Sequence, residues 1–207
     1  MLLADGSMWR MKDLLAEGIA AQTVRRAVAA GTVEALSRGV YRRAGAYDEH
    51  GAILAEVSAR VPDGVICLFS AADFHEITDV TPRQIWVGIP NNRRPPKLDW
   101  PPIRAVRWRG APSFDVGVEE RVIHGVPVRM TTPARTVVDM LRMMKTVGED
   151  RALECLRDYA ANGGSAGEVR VIADRIGVGQ RLRPYVSTIP YLEAGHAKQH
   201  RSDWRKS

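Results

Sequence analysis

A chain of 207 residues has room for one large domain or for a small domain followed by a medium one, at roughly 100–200 residues per domain. Hydrophobic residues at 45% and charged residues at 26% exclude a disordered or collagenous chain. Two cysteines, Cys67 and Cys155, without a C-x-x-C exclude a disulfide framework and a zinc ribbon, and no apolar run reaches the ~20 residues of a membrane-spanning helix. Thirty lysines and arginines against 24 acidic residues leave a net charge of +6, and the surplus is clustered, which points to a polyanionic partner.

In chain order, Ser7 is positioned to cap a helix through Met8, Met11, Leu14 and Leu15 that stops at Gly18. A second helix is expected over 20–30, ending at Gly31, and residues 32–43 alternate around Arg38-Gly39 as a β-hairpin. Residues 47–60 have helical spacing, and Pro62-Asp63-Gly64 marks a turn. The apolar run 65–69 predicts a buried strand, with Ser70 capping a short helix that contains Ala71, Ala72 and Phe74. Further strands are expected over 84–89, 103–108, 118–123 and 126–130, the last two joined at His124-Gly125, and their short links suggest a mainly antiparallel sheet. Four prolines make 91–102 an extended loop. Thr132-Pro133 opens a helix through Val137, Leu141 and Met144, and further helices are expected over 148–161 and 165–176. The resulting expectation is an α+β protein: an N-terminal winged helix-turn-helix over 1–46, a mixed domain over 47–192, and a basic tail over 193–207. The N-terminus lacks the basic-then-apolar order of a secretory signal, so a cytoplasmic location is expected.

The second helix carries a testable pattern. At about 100° per residue, Gln22, Thr23, Arg25, Arg26, Ala29 and Ala30 share one arc, while Val24, Ala27 and Val28 fall opposite. Arginine and glutamine present the planar groups that pair with guanine and adenine edges, and alanines are small enough to enter a groove. Basic residues of the following hairpin, Arg38, Arg42 and Arg43, would reach solvent-side phosphates or the minor groove. A second cluster over 93–109, including Arg93, Arg94 and Lys97 with Trp100 and Trp108 interleaved, is a candidate for an additional nucleic-acid contact or a solvated loop.

Enzyme chemistry finds less support. Asp73, His75, Glu76 and Asp79 crowd one stretch without a second cluster or an H-E-x-x-H, and read as a solvated helix end. Gly163-Gly-Ser-Ala-Gly167 formally matches a nucleophile motif, but a helix precedes it, and Ser165 with Glu168 reads as a capping box. Cys67 reads as core. A metal-dependent nuclease needs an Asp with Glu-x-Lys or Gln-x-Lys, and a nucleotidyltransferase needs Asp-x-Asp; neither pattern occurs. No catalytic residue, metal site or cofactor is therefore expected.

Four segments carry a resemblance: Ser7-Met-Trp-Arg-Met-Lys-Asp-Leu-Leu-Ala-Glu-Gly18, Leu36-Ser-Arg-Gly-Val-Tyr-Arg42, Val65-Ile-Cys-Leu-Phe-Ser-Ala71 and Thr131-Thr-Pro-Ala-Arg-Thr-Val-Val-Asp139. Across nearly the whole chain, the sequence resembles the AbiEi family, antitoxins and operon repressors of type IV toxin–antitoxin systems whose partner toxin, AbiEii, is a nucleotidyltransferase. The resemblance implies a winged helix binding inverted repeats in double-stranded operator DNA, and a C-terminal domain that counteracts the toxin without a stable complex. It implies DNA contacts on Gln22, Thr23, Arg25 and Arg26, and on Arg38, Tyr41, Arg42 and Arg43 of a wing over 37–43. The alternative is a nucleic-acid-processing enzyme related to Vsr-like nucleases, since the Pro-Ala-Arg-Thr-Val-Val-Asp segment also resembles the one that precedes such a domain in a related group. That segment has a plainer reading as well: Arg135 and Asp139 stand at i,i+4 and can pair or hold a neighbouring loop.

Overall fold

The computed structural model describes residues 8–37, 39–44, 51–95, 98 and 100–192. The N-terminal unit runs β1 (Met8–Arg10), α1 (Met11–Ala16), α2 (Ala21–Ala29), β2 (Val33–Ser37) and β3 (Val40–Arg43). Both helices end as their glycines require. Gly18 (φ +79°) and Gly31 (φ +69°) adopt the left-handed conformation that closes a helix, and the next amides, Ile19 and Thr32, return to the carbonyls of Leu14 and Ala27. The three strands form an antiparallel sheet in the order β1-β3-β2, with Tyr41 facing Trp9 on one side and Ala35 on the other. Leu14, Val24 and Val33 are buried, and each such side chain contributes about 1.5–3 kcal/mol on removal from water.

One correction concerns the first helix. Met8 begins a strand paired to Arg42, and the helix starts only at Met11, so its expected cap at Ser7 lies outside the described residues. Alternating burial of a three-residue strand is too short a signal to distinguish from a helical turn.

The rest is a three-layer arrangement. After α3 (Ala52–Arg60) come β4 (Val65–Ile66), α4 (Leu68–Phe74), β5 (Ile85–Pro90), β6 (Ile103–Trp108), α5 (Pro112–Asp115), β7 (Val118–Ile123) and β8 (Val126–Thr131). The chain then closes with α6 (Pro133–Arg142), α7 (Met144–Val147), α8 (Glu149–Ala161), α9 (Ala166–Arg175) and α10 (Gly179–Val186). Strand order is β6-β5-β4-β8-β7, with β4–β5 and β7–β8 antiparallel but β5–β6 and β4–β8 parallel. The sheet is therefore mixed rather than mainly antiparallel. The twelve-residue link 91–102 returns the chain to start β6 alongside β5, which a tight hairpin cannot do.

Alternation along the strands sorts side chains between two cores. Trp86, Val106 and Trp108 pack with α4, α6, α8, α9 and α10 on one face. Val87, Ile89, Val128 and Met130 pack with α3 on the other. Met8 and Val40 of the N-terminal unit are buried in this second core, and the Met8 amide donates to His124 O at 2.6 Å, so the two sequence-defined domains share a hydrophobic seam.

The expected strand over 65–69 is only Val65–Ile66, because the chain turns at Leu68 (φ +49°) into α4. Ser70 sits inside that helix and accepts from the Trp86 amide at 3.0 Å instead of capping it. Helix α10, with Pro184 within it, occupies a stretch where the sequence suggested no element.

Candidate nucleic-acid interface

Helix α2 displays the face that its sequence spacing implies. Gln22, Thr23, Arg25 and Arg26 are exposed, Val24 is 5% exposed against the unit's core, and Ala27 and Val28 are half-buried. The first turn carries no acidic residue. Both arginines are thus presented from a short helix whose position is fixed by its apolar side.

The hairpin divides the residues assigned to it. Neighbours on a strand point to opposite faces. Arg43 is exposed, and Tyr41 is half-buried on the central strand. Arg42 lies on the face that carries Met8 and Val40. Its guanidinium pairs with Glu34 at 2.7 Å, and its side chain is only 12% exposed. The expectation that Arg42 faces solvent beside Arg43 is therefore corrected: strand phase turns it inward, where it braces the hairpin. Arg38 lies outside the described residues, as do Lys97, the side chain of Ser37 and the tail over 193–207.

A single residue of α3 joins the hairpin to the rest of the basic surface. Arg60 pairs with the buried Glu56 at 2.8 Å and donates to two carbonyls, Leu36 O on β2 and Trp100 O on the proline-rich link. Arg10 adds a second tie, donating to Ser58 O at 3.3 Å. Sequence reasoning missed Arg60 because its partners are 24 and 40 residues away; the one local signal was its i,i+4 spacing from Glu56 in a helix buried on nearly all sides.

Of the second basic cluster, Arg93 and Arg94 are exposed, Arg93 in a solvent-facing pair with Asp63 at 3.0 Å. The two tryptophans behave differently. Trp108 is buried, packed on Phe114 and under the Arg135 guanidinium at 4.9 Å, whereas Trp100 is 61% exposed.

Beneath this surface, Arg135 and Asp139 resolve into structural roles. Arg135 donates to Asp139 Oδ1 at 3.0 Å, to Ser113 O at 3.0 Å and to Val116 O, and so pins the turn around α5. Arg142 approaches the same Oδ1 at 2.9 Å. Gly117 is required beside this pair: its φ is +65°, and a Cβ there would fall 2.6 Å from that of Arg135. Thr132 and Ser165 cap α6 and α9 through the amides of Arg135 and Glu168.

Among the described residues, no group of three or more His, Cys, Asp or Glu side chains is placed to hold a metal ion. His75, expected at a solvated helix end, instead turns inward and hydrogen-bonds Thr131 O through Nε2 at 2.7 Å, and burial lowers its pKa. Both cysteines are free and buried. No described helix is long and apolar enough to cross a membrane.

Fold and surface together define an α/β protein whose N-terminal β-α-α-β-β unit presents a basic helix face. No family model matches the chain, and no curated protein matches it. Its fold is similar to that in the crystal structure of the RV2827C protein from Mycobacterium tuberculosis, with a TM-score of 0.55 and 15% sequence identity over 91% of this chain and 76% of that one. At that identity the likeness concerns the fold alone.

Proposed function

We propose that this chain is an AbiEi-like antitoxin that represses its own operon, a DNA-binding protein of the cytoplasm and not an enzyme. In this reading the N-terminal unit is a winged helix-turn-helix, with α2 as recognition helix and β2–β3 as wing. Arg25 and Arg26 read bases, Gln22 and Thr23 support them, and Arg43 meets phosphate. The second domain counteracts a nucleotidyltransferase toxin of the AbiEii type without forming a stable complex with it. No cofactor is needed.

The observation that carries the proposal is the exposed Gln22, Thr23, Arg25 and Arg26 face on a helix followed directly by a hairpin that exposes Arg43. Helix–turn–helix proteins lay the second helix in the major groove, which suits these side chains. The test is fluorescence anisotropy with a duplex from the chain's own promoter and a scrambled duplex at matched salt. The expected result is roughly 1,000-fold or greater preference for the promoter. Equal affinity for both duplexes at every salt concentration would overturn it.

A further inference from the structure

A separate part of the surface has the chemistry of a second nucleic-acid site. Strand β6 is one of the two outer strands of the large sheet, and the sequence from 91 to 110 carries six cationic side chains against one carboxylate. Parallel pairing of Ile85 with Ile103 and of Pro90 with Trp108 lays β6 along the full length of β5 at the sheet edge. Trp100 lies near one end, and Arg93, Arg94 and Arg109 lie at the other. Arg107 is held by Asn91 O at 2.8 Å, so its guanidinium is oriented yet exposed, whereas Arg104 leaves β6 on the opposite face, where it stacks on Trp86 at 4.2 Å. The side chains of Arg94 and Arg109 make neither an ion pair nor a hydrogen bond among the described residues, although the Arg109 carbonyl accepts from Ser113 Oγ at 2.8 Å.

Trp100 distinguishes this edge from an ordinary basic patch. The residue is 61% exposed while its backbone is pinned: Arg60 holds its carbonyl, the following Pro101 is buried, and Pro102 O accepts from the Ile85 amide at 2.9 Å. A large ring displayed from a fixed backbone is a stacking platform, because only two side-chain torsions have to be ordered when a base settles on it. Duplex DNA hides its base faces and offers such a ring nothing. Unpaired nucleotides offer both a face and a phosphate.

We infer that the β6 edge binds single-stranded nucleic acid, with Trp100 stacking an unpaired base and Arg94, Arg107 and Arg109 following the backbone. Such a site is sequence-tolerant, since every base has a π-face. It does not depend on the reading of α2, because none of its residues belongs to the N-terminal unit.

The experiment is anisotropy of the full chain with labelled oligouridine, oligothymidine and an unrelated duplex of equal length. Both single strands should bind more tightly than the duplex, and whichever binds better identifies RNA or DNA as the favoured strand. Trp100→Ala should weaken single-strand binding roughly five- to 100-fold and leave duplex binding unchanged, with Trp100→Phe retaining most of the affinity. Arg94→Ser with Arg109→Ser should reduce the slope of log affinity against log salt by about 0.7 per lost contact. Arg25→Ala with Arg26→Ala should leave single-strand binding intact. As a check that survives any loss of stability in the alanine variant, oligouridine should quench the intrinsic fluorescence of the native chain and do so far less in Trp100→Phe. Single-strand affinity no greater than duplex affinity, an unchanged affinity in Trp100→Ala, equal losses on duplex and single strand, or quenching that persists in Trp100→Phe would each overturn the proposal.

Discussion

Arg135 and Asp139 stand one helical turn apart on α6 with both side chains fully buried, and the arginine Nε donates to the carboxylate at 3.0 Å. Asp139 Oδ1 takes this contact and that from Arg142, whereas Oδ2 has no hydrogen-bond partner. A buried ion pair left half-made exposes the survivor to the full cost of desolvation. Arg135→Met should therefore destabilise the protein by about 3–5 kcal/mol in urea denaturation. Adding Asp139→Leu should restore part of that loss, because the buried carboxylate is then gone and the charge left without its acid is Arg142, whose side chain reaches solvent. A double variant whose cost equals the sum of the single costs would show that the two groups are not coupled.

On promoter DNA, Arg26→Ala should cost about 1–3 kcal/mol of binding and have little effect on random DNA. Arg43→Ala should weaken both duplexes alike and reduce the salt slope by about one. Arg42→Ala should leave the slope unchanged, since its charge is engaged by Glu34. A slope that falls as much for Arg42 as for Arg43 would mean that DNA draws Arg42 away from its carboxylate.

Replacing Arg25, Arg26 and Arg43 together by Ala should abolish repression while leaving the fold intact, because all three are exposed. Expressed from an unrelated promoter, this variant should still rescue cells from the cognate toxin. Failure of rescue at normal protein levels would assign neutralisation to the N-terminal unit as well.

His75 gives the protein a pH dependence whose direction follows from its surroundings. Burial lowers the imidazole pKa, outweighing the opposite effects of the Thr131 carbonyl and Glu119. The unfolded chain then binds a proton more readily than the folded one. Its contribution to stability is present above the unfolded value of about 6.5 and is lost as pH falls through the lower folded value. Urea midpoints should drop between about pH 7 and pH 5, and His75→Gln should flatten that drop. An identical pH profile in the variant would exclude His75 as its source.

Cys67 and Cys155 should both be inert to a thiol reagent in the folded protein and react fully in denaturant. Burial pushes both thiols up, Cys155 to about 12, so almost no thiolate exists at neutral pH. Stoichiometric labelling under native conditions would indicate opening of the core around α4 or α8.

What could be read from the sequence was the information carried locally. Gly18 and Gly31 end their helices, Thr132 and Ser165 start theirs, and the spacing of Val24 against Arg25 and Arg26 sets the exposed face of α2, each within one or two turns of chain. What escaped depends on partners far away. Leu68 and Phe69 extend an apolar run that suits a strand, yet they enter a helix because the chain turns at Leu68 (φ +49°) after two residues of β4. Arg42 and Arg43 are equivalent on paper, and only the register with Met8 decides which one faces inward. Pro184 reads as a helix breaker, although its missing amide would have bonded the carbonyl of the exposed Gln180 near the start of a short helix, where water can replace it. The parallel pairing of β5 with β6 leaves no mark in either strand.

That pairing also turns the link over 91–102 into a tether of defined length. Parallel strands begin at the same end, so the chain leaving Pro90 must travel back along six residues of β6, about 20 Å at 3.3 Å per residue, before Ile103 can take its place beside Ile85. Twelve residues can cover about 40 Å when fully extended, enough for the return with one detour, and six could barely make the distance without one. Deletions that an ordinary surface loop absorbs would here peel β6 from the sheet. The exposed ring of Trp100 sits on the last part of that return path, so its position is measured out from the far end of β5.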